Sequence, residues 1–70
     1  MQIKVKNMVP PAFEGQITMT SGATVADLMV RLKLQEQYEY LILVNGKNRL
    51  PDYRLQAEDQ VTVFYNVSGG

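Results

Sequence analysis

The last residues of the sequence, Ser68, Gly69 and Gly70, could present a carboxylate on a flexible arm. They follow directly after "VTVFYNV", a run with the composition of a core strand. Glycine has no Cβ and accepts backbone dihedrals that are closed to other residues, so two glycines can enter a narrow channel. Three extended residues span roughly 10 Å. We therefore expect residues 68–70 to be a flexible C-terminal tail that carries the Gly70 carboxylate to another protein's active site, with Gly69 giving clearance.

The chemistry that the chain could perform by itself is limited by its composition. It has neither cysteine nor histidine, which excludes a disulfide framework and a thiol nucleophile and removes the commonest general base and metal ligand. Glu58 and Asp59 are adjacent carboxylates, but neighbours on a loop rarely form the facing pair of acid–base catalysis, so we expect a solvated turn. No nucleophile and base can be paired. We predict no catalytic residue, no metal site and no bound cofactor, hence a protein that is not an enzyme.

Charge and hydropathy narrow the choice of partners and location. Seven basic and seven acidic residues cancel, so the basic footprint of a nucleic-acid binder is missing and no nucleic-acid partner is expected. The longest apolar run, "LILV", is too short to span a bilayer, and "MQIKVKN" lacks the apolar stretch of a signal peptide. We expect a cytoplasmic protein without membrane contact. With 46% hydrophobic residues in 70 positions, residues 1–70 should form a single globular domain.

The first half of the chain has the pattern of two strands and a helix. "MQIKVK" and "FEGQITMT" alternate apolar and polar residues, which predicts two antiparallel strands joined by the Pro-Pro loop of "NMVPPAFEG". Thr24 and Asp27 have the spacing of a capping box. In the same segment, "ATVADLMVRLKL", apolar residues recur at i, i+3, i+4 and i+7, which predicts an amphipathic helix. The apolar stripe consists of Val25, Leu28, Met29 and Leu32.

The second half reads as three more strands. "LILVNG" is a buried strand closed by an Asn-Gly turn, "KNRL" is a short strand, and "VTVFYNV" is the last one, with Tyr65 inward and Asn66 still within the strand. Its alternation turns Phe64 away from the core, and the same rule turns Leu41 and Leu43 outward. A contiguous outward apolar patch often marks a protein contact, so we predict partner binding through Leu43 and Phe64, with Ser68 as a further contact.

Lys47 and Arg49, beside the Asn-Gly turn, could contact an acidic partner. Charged residues are also what an exposed edge strand requires, so both interpretations stay open. The order strand, strand, helix, strand, strand, strand predicts an α+β fold in which a mixed sheet of four to five strands packs on one helix. This order matches the ubiquitin-like β-grasp fold.

Three segments carry a resemblance to a known family: "VNG" at 44–46, "LQAEDQV" at 55–61 and the terminal "VSGG". With them the chain resembles the ThiS/MoaD family of ubiquitin-like sulfur carriers over essentially its whole length. "LQAEDQV" is similar to the family's Leu-x-x-Gly-Asp-x-Val turn, although Glu58 stands where many members have glycine. Near Asn66, molybdopterin-pathway members often have proline instead.

The resemblance implies a cycle in which partner proteins perform the chemistry. A ubiquitin-activating-like adenylyltransferase would use ATP and magnesium to convert the Gly70 carboxylate into an acyl-adenylate. A sulfur donor protein would then displace the adenylate and leave a C-terminal thiocarboxylate. The acceptor would be thiazole synthase of thiamine biosynthesis or the molybdopterin synthase large subunit. The sequence leaves the two pathways open.

Two other functions remain compatible with the same residues. The resemblance also allows a protein modifier that is linked through Gly70 to lysines of other proteins, since this reaction begins from the same adenylate. A plain β-grasp interaction module with an idle tail is the third possibility. In that case removal of the tail would change no partner reaction.

Overall fold

In the part of the chain that is described, one five-stranded mixed sheet carries a single helix on one of its faces. The computed structural model describes residues 1–34 and 39–66. The elements are β1 (Gln2–Asn7), β2 (Phe13–Thr18), α1 (Val25–Arg31), β3 (Tyr40–Val44), β4 (Lys47–Asn48) and β5 (Gln60–Tyr65). The strand order is β2-β1-β5-β3-β4, in which β1 and β5 are parallel and the other neighbours antiparallel. The predicted α+β layering and the antiparallel pairing of the first two strands are confirmed.

The core lies between the helix and one face of the sheet, where the alternating residues of four strands meet. On β1 and β5, Val5 lies beside Val61, and on β3 and β5, Ile42 lies opposite Val63. Because side chains of neighbouring pairs share a face, the apolar residues of all strands collect on the same side. The buried apolar residues are Ile3, Val5, Val9, Ile17, Met19, Ala23, Val25, Leu28, Ile42, Val44, Leu55, Val61 and Val63.

The capping box predicted at the start of the helix is present. Thr24 has an extended backbone, and its Oγ1 accepts a hydrogen bond from the Asp27 N–H at 3.2 Å. The Asp27 carboxylate accepts in return from the Thr24 N–H at 2.9 Å. These two bonds satisfy amides that have no partner within the helix. Val25 and Leu28 of the predicted stripe are buried.

The helix ends at Arg31, three residues earlier than the apolar pattern predicted. Lys33 adopts a left-handed backbone with φ 59, and its N–H donates to the Val30 carbonyl at 3.0 Å. The Leu34 N–H donates to the Met29 carbonyl at 3.1 Å. This pair of bonds is a Schellman motif, which closes a helix by turning the chain away from its axis. Within the part of the chain that is described, no helix is long and apolar enough to cross a membrane.

The Asn-Gly turn after β3 is also confirmed. Asn45 and Gly46 both have positive φ, 54 and 83, the conformation of a two-residue turn whose twist matches that of the flanking strands. The strand that follows is shorter than "KNRL" predicted, since β4 comprises only Lys47–Asn48. Arg49 still donates its N–H to the Ile42 carbonyl at 3.2 Å, but Pro51 lacks an amide hydrogen, so the ladder cannot extend that far.

The expectation of a solvated turn at Glu58 and Asp59 is wrong for Asp59, which is only 6% exposed. Its carboxylate accepts hydrogen bonds from the Asn45 Nδ2 and from the Gln56 N–H, both at 2.8 Å. The Asn45 side-chain oxygen in turn accepts from the Gln60 N–H at 2.9 Å. A buried carboxylate must have such donors, because an unpaired one would lose its hydration without compensation. Asp59 is therefore a structural residue that joins the β3–β4 turn to the start of β5.

Glu58 is exposed and adopts φ 69, the left-handed conformation that glycine enters most easily. Its N–H donates to the Gln2 carbonyl at 2.8 Å. A glutamate therefore makes a left-handed turn at this position, which a glycine would enter with less strain.

We expect Asp59→Ala to lower the free energy of unfolding by about 2–3 kcal/mol, because it removes a buried side chain and leaves the Asn45 side-chain amide and the Gln56 N–H without their acceptor. The measurement is equilibrium unfolding in urea. Glu58→Ala is the matched control, since it removes the adjacent but exposed carboxylate, and it should change stability by less than about 0.5 kcal/mol. Equal losses for the two variants would contradict the assignment.

Candidate functional site

The face of the sheet opposite the helix is open among the described residues. Side chains that alternate with the core residues point to this side. On β1 they are Gln2, Lys4 and Lys6, on β2 Glu14, Gln16 and Thr18, on β5 Gln60, Thr62 and Phe64, on β3 Leu41 and Leu43, and on β4 Asn48. The β1 and β2 half of this face is polar and the β3 and β5 half is largely apolar.

The apolar half contains a small cluster that we call the open-face patch, formed by Leu41, Leu43 and Phe64. The strand register places Leu41 directly opposite Phe64, and Leu43 opposite Thr62, one position further along. Directly opposite side chains in a sheet are about 5 Å apart at Cβ, and diagonal neighbours are still within reach of an aromatic ring. All three residues are half-buried although no second layer covers them. We infer that they shield one another.

Polar side chains border the open-face patch on both sides. Toward β1, Thr62 of β5 lies beside Lys6, and Gln60 lies beside Lys4. Toward β4, Asn48 lies opposite Leu43. An apolar centre within a polar border is the usual anatomy of a protein–protein interface, in which the centre loses its water and the border stays hydrated. The arrangement suits the docking of another protein.

The end of β5 adjoins the open-face patch. Tyr65 lies on the helix side of the sheet, as the alternation predicted, but it is 42% exposed, because it lies beyond the end of the core, where it stacks on Tyr40. The two ring centroids are 5.9 Å apart with an interplanar angle of 20°. Asn66 was expected within the strand, but β5 ends at Tyr65. Asn66 keeps one backbone bond, from its N–H to the Glu39 carbonyl at 3.0 Å.

Two of the five predicted site residues lie in the described part of the chain. Leu43 and Phe64 share the open face as the alternation predicted, and their role in partner binding remains a prediction. Ser68, Gly69 and Gly70 lie outside the described residues, as does Val67.

Sequence reasoning named Leu41 as outward but left it out of the predicted site. The strand predicted from "LILVNG" also began at Leu41, one residue after Tyr40. Both lie opposite residues of β5, Leu41 opposite Phe64 and Tyr40 opposite Tyr65. The register of β3 on β5 brings them together, and a single sequence carries no direct signal for it.

The two basic residues near the turn are used differently. The Arg49 guanidinium lies over the Tyr53 ring, 4.8 Å from its centroid, a cation–π contact within the chain. Lys47 is exposed on β4. Neither lies in the open-face patch, and a contact with an acidic partner stays a prediction for both. In the described residues, acidic side chains form no group of three that could hold a metal ion.

Comparison with protein families gives one match, to the model described as the ThiS family, over residues 6–70. No curated protein matches the chain at a significant level. The matched range includes β1 from Lys6 onward, the open-face patch and the terminal glycines.

Solved structures give several matches. SAMP1 of Haloferax volcanii, a small archaeal modifier protein, superimposes with a TM-score of 0.77 at 19% identity, covering 100% of both chains. A Pyrococcus furiosus protein assigned as putative molybdopterin converting factor subunit 1 superimposes with a TM-score of 0.77 at 27% identity, and the match covers 94% of this chain and 98% of that protein. A ubiquitin of Caldiarchaeum subterraneum superimposes with a TM-score of 0.66 at 16% identity, and the match covers 100% of this chain and 98% of that protein. These likenesses confirm the ubiquitin-like β-grasp fold.

We expect the open-face patch to contribute little to stability, because its side chains keep part of their water contact in the folded state. Leu43→Ala should lower the free energy of unfolding by about 1 kcal/mol, whereas Leu55→Ala, at a site that is 2% exposed, should lower it by about 3 kcal/mol. Urea unfolding of both variants provides the comparison. A loss at Leu43 as large as that at Leu55 would show that Leu43 is a core residue and not available to a partner.

Proposed function

The chain belongs to the ThiS family, and from this membership we propose that it is a sulfur carrier whose Gly70 carboxylate is adenylated by a partner enzyme and converted to a thiocarboxylate. The family and the fold support the broader class, a small sulfur carrier or ubiquitin-like modifier that is not itself catalytic. The observation that carries the proposal is the family match that continues through Gly69 and Gly70.

The proposed reaction needs only a free carboxylate from this chain. Attack of the Gly70 carboxylate on the α-phosphorus of ATP would release pyrophosphate and form an acyl-adenylate, with ATP and magnesium held by the adenylyltransferase. The terminal sulfur of a persulfide on a donor protein would then attack the acyl carbon and displace AMP, since the adenylate is a good leaving group. A second thiol would reduce the resulting acyl disulfide, which releases the thiocarboxylate and leaves the two thiols joined as a disulfide. The chain has no cysteine or histidine, so the activating groups in this scheme come from the partner. Its own contribution is to present the carboxylate.

The open-face patch would supply the docking surface for this partner. Phe64 belongs to the patch and lies one residue before the end of β5 at Tyr65, and Asn66 is the last described residue before the tail sequence. Four residues beyond Asn66, fully extended, reach at most about 13 Å. A partner that covers the patch would therefore have its active site within reach of the Gly70 carboxylate. The partner would dock on a patch that includes Phe64 of β5, and the residues that follow β5 would deliver the carboxylate.

Two enzymes are candidates to accept the sulfur of the thiocarboxylate. Likeness to the Pyrococcus furiosus protein, assigned as a molybdopterin converting factor subunit, supports a molybdopterin synthase large subunit as the receiving partner. The family name supports thiazole synthase in thiamine biosynthesis. We propose sulfur delivery to one of these two enzymes, since both reactions would consume the same thiocarboxylate.

A second candidate function is protein modification. It is favoured by the likeness to SAMP1, whose name describes it as a modifier protein. In this case the acyl group of Gly70 would be transferred to a lysine amine and not to sulfur. Both functions would start from the same adenylate.

Intact-mass spectrometry tests the proposal and separates the two functions. The purified chain is incubated with a ubiquitin-activating-like adenylyltransferase from the same genome, magnesium, ATP, a persulfide-bearing donor protein and a thiol reductant that cleaves the acyl disulfide. We expect a product heavier by the difference between one sulfur and one oxygen, and none from a variant that lacks Gly70. Slower-migrating conjugates that disappear with the same deletion would favour the modifier. Pyrophosphate release that does not depend on Gly70 would contradict both functions.

Phe64→Ala tests the docking role of the open-face patch. We expect kcat/KM for adenylate formation to fall about tenfold, because an aromatic anchor at the centre of an interface carries much of its binding energy. Leu50→Ala is the matched control, since Leu50 is an exposed apolar residue outside the patch, and it should be activated like the parent chain. Circular dichroism checks that both variants are folded. If Phe64→Ala is activated as fast as the parent, the patch is not the docking surface.

A further inference from the structure

The outer edge of β2 is the long free edge of the sheet. The strand order places β2 at one end and the two-residue β4 at the other. Natural edge strands are protected by shortness, lysine, proline or bulges. β2 has six residues, "FEGQIT", without lysine or proline. Of the two edges of this sheet, the β2 edge is thus the better template for an added strand.

The hydrogen bonds at the start of the sheet show which backbone groups face outward. The Met1 amine donates to the Met19 carbonyl at 2.7 Å, and the Met19 N–H donates to the Met1 carbonyl at 2.8 Å. Because alternate residues of an antiparallel strand bond to the same neighbour, the backbone groups of Glu14, Gln16 and Thr18 point away from β1. Arg31 Nη1 confirms this direction, since it donates to the Thr18 carbonyl from outside at 3.2 Å.

A groove of about 500 Å³ runs beside this edge, between β2 and the C-terminal end of α1. Phe13 and Ile17 contribute apolar side chains from β2, and Leu32 contributes one from the helix end. Phe13 is 40% exposed, and its ring lies along the strand, where a Cβ built on Gly15 would be 3.1 Å from the ring's Cζ. Added side chains on the helix side of β2 would meet an apolar surface.

The charged residues that line the groove are both basic. They are Arg31 and Lys33, at the end of the helix, and both are exposed. Glu14 is the carboxylate of β2, but it points to the open face and lies opposite Lys6. The groove therefore combines outward backbone groups, an apolar floor and a positive rim.

We propose that the β2 edge and this groove bind an extended, acidic peptide segment of a partner protein as a sixth strand. The backbone of the segment pairs with Glu14 and Gln16, alternate apolar side chains enter the groove, and carboxylates face Arg31 and Lys33. Main-chain pairing supplies affinity and the flanking side chains supply selectivity in this mode of recognition. The surface lies two strands away from β5, so the carrier could hold this partner while its tail is engaged elsewhere.

Charge complementarity favours this occupant over a second copy of the chain. An acidic segment neutralises the positive rim, and buried or bordering opposite charges guide the approach of the partner. A second copy paired through its own β2 would instead bring another Arg31 and Lys33. The inference concerns a surface that the proposed sulfur transfer does not use.

The test is an NMR titration in which the amide chemical shifts of the isotope-labelled chain are recorded as a peptide is added. The peptide is synthetic and acetylated, and it has a run of valines and then a run of aspartates. We expect saturable shifts centred on residues 13–18 and 31–33. Gln16→Pro should weaken binding by about tenfold or more, because it removes an outward N–H and obstructs the edge. Gln16→Thr keeps the N–H and is the matched control. Lys33→Gln should weaken binding roughly threefold, with a larger effect at low salt.

Several outcomes would overturn the proposal. Chemical-shift changes confined to the open-face patch would place the peptide on another surface. Equal binding of a peptide with lysines in place of the aspartates would contradict the role of the positive rim, and equal binding by the Gln16→Pro and Gln16→Thr variants would contradict strand addition. A dimer of the free chain that Gln16→Pro converts to a monomer would show that a second copy is the occupant. The amide spectrum of each variant reports its folding in the same experiment. If Gln16→Pro is unfolded, the binding of the lysine peptide and of the Lys33→Gln variant still tests the proposal. Adenylation of a folded Gln16→Pro variant at the parental rate would show that the loss of peptide binding is separate from the proposed carrier function.

Discussion

The parallel pairing of β1 with β5 is the interaction on which the rest of the structure depends. β5 is last in the chain but central in the sheet, with β1 on one side and β3 on the other. Parallel neighbours cannot be joined by a tight turn, so the chain between them must cross over, and here it builds the helix and three further strands, β2, β3 and β4, on the way. Val61 and Val63, both buried, complete the core only when β5 has entered this position.

β5 is also fixed at both of its ends. At its start, Asp59 and Asn45 join the loop before β5 to the turn after β3, and the Lys4 N–H donates to the Asp59 carbonyl at 2.9 Å. At its end, Tyr65 stacks on Tyr40. A strand paired on both sides and held at both ends gives any segment that follows it a fixed point of departure. For a protein proposed to act through its tail, that point matters more than any pocket.

Among the described residues a single seven-residue helix packs on the sheet, and this explains why so small a protein has exposed surface for partners. It covers one face of the sheet, and a mixed or antiparallel sheet can leave its other face to water. The open-face patch lies there, with Leu41 and Leu43 on β3 and Phe64 on β5, the strand that leads into the tail sequence. The β2 edge lies at the other side of the sheet with a different chemistry, an unpaired backbone and a basic rim. The two surfaces are separate enough for different partners.

By itself the sequence determined the elements and their faces. Alternation predicted the inward Ile42 and the outward Leu43 and Phe64, and the Thr24–Asp27 spacing predicted the cap, because these features depend on residues close together in the chain. Tertiary structure decided the rest. The burial of Asp59 depends on Asn45, which is 14 positions away, and the exposure of Tyr65 depends on where the core ends. The meeting of Leu41 with Phe64 depends on strand register, which is set by packing of the whole sheet and not by local pattern.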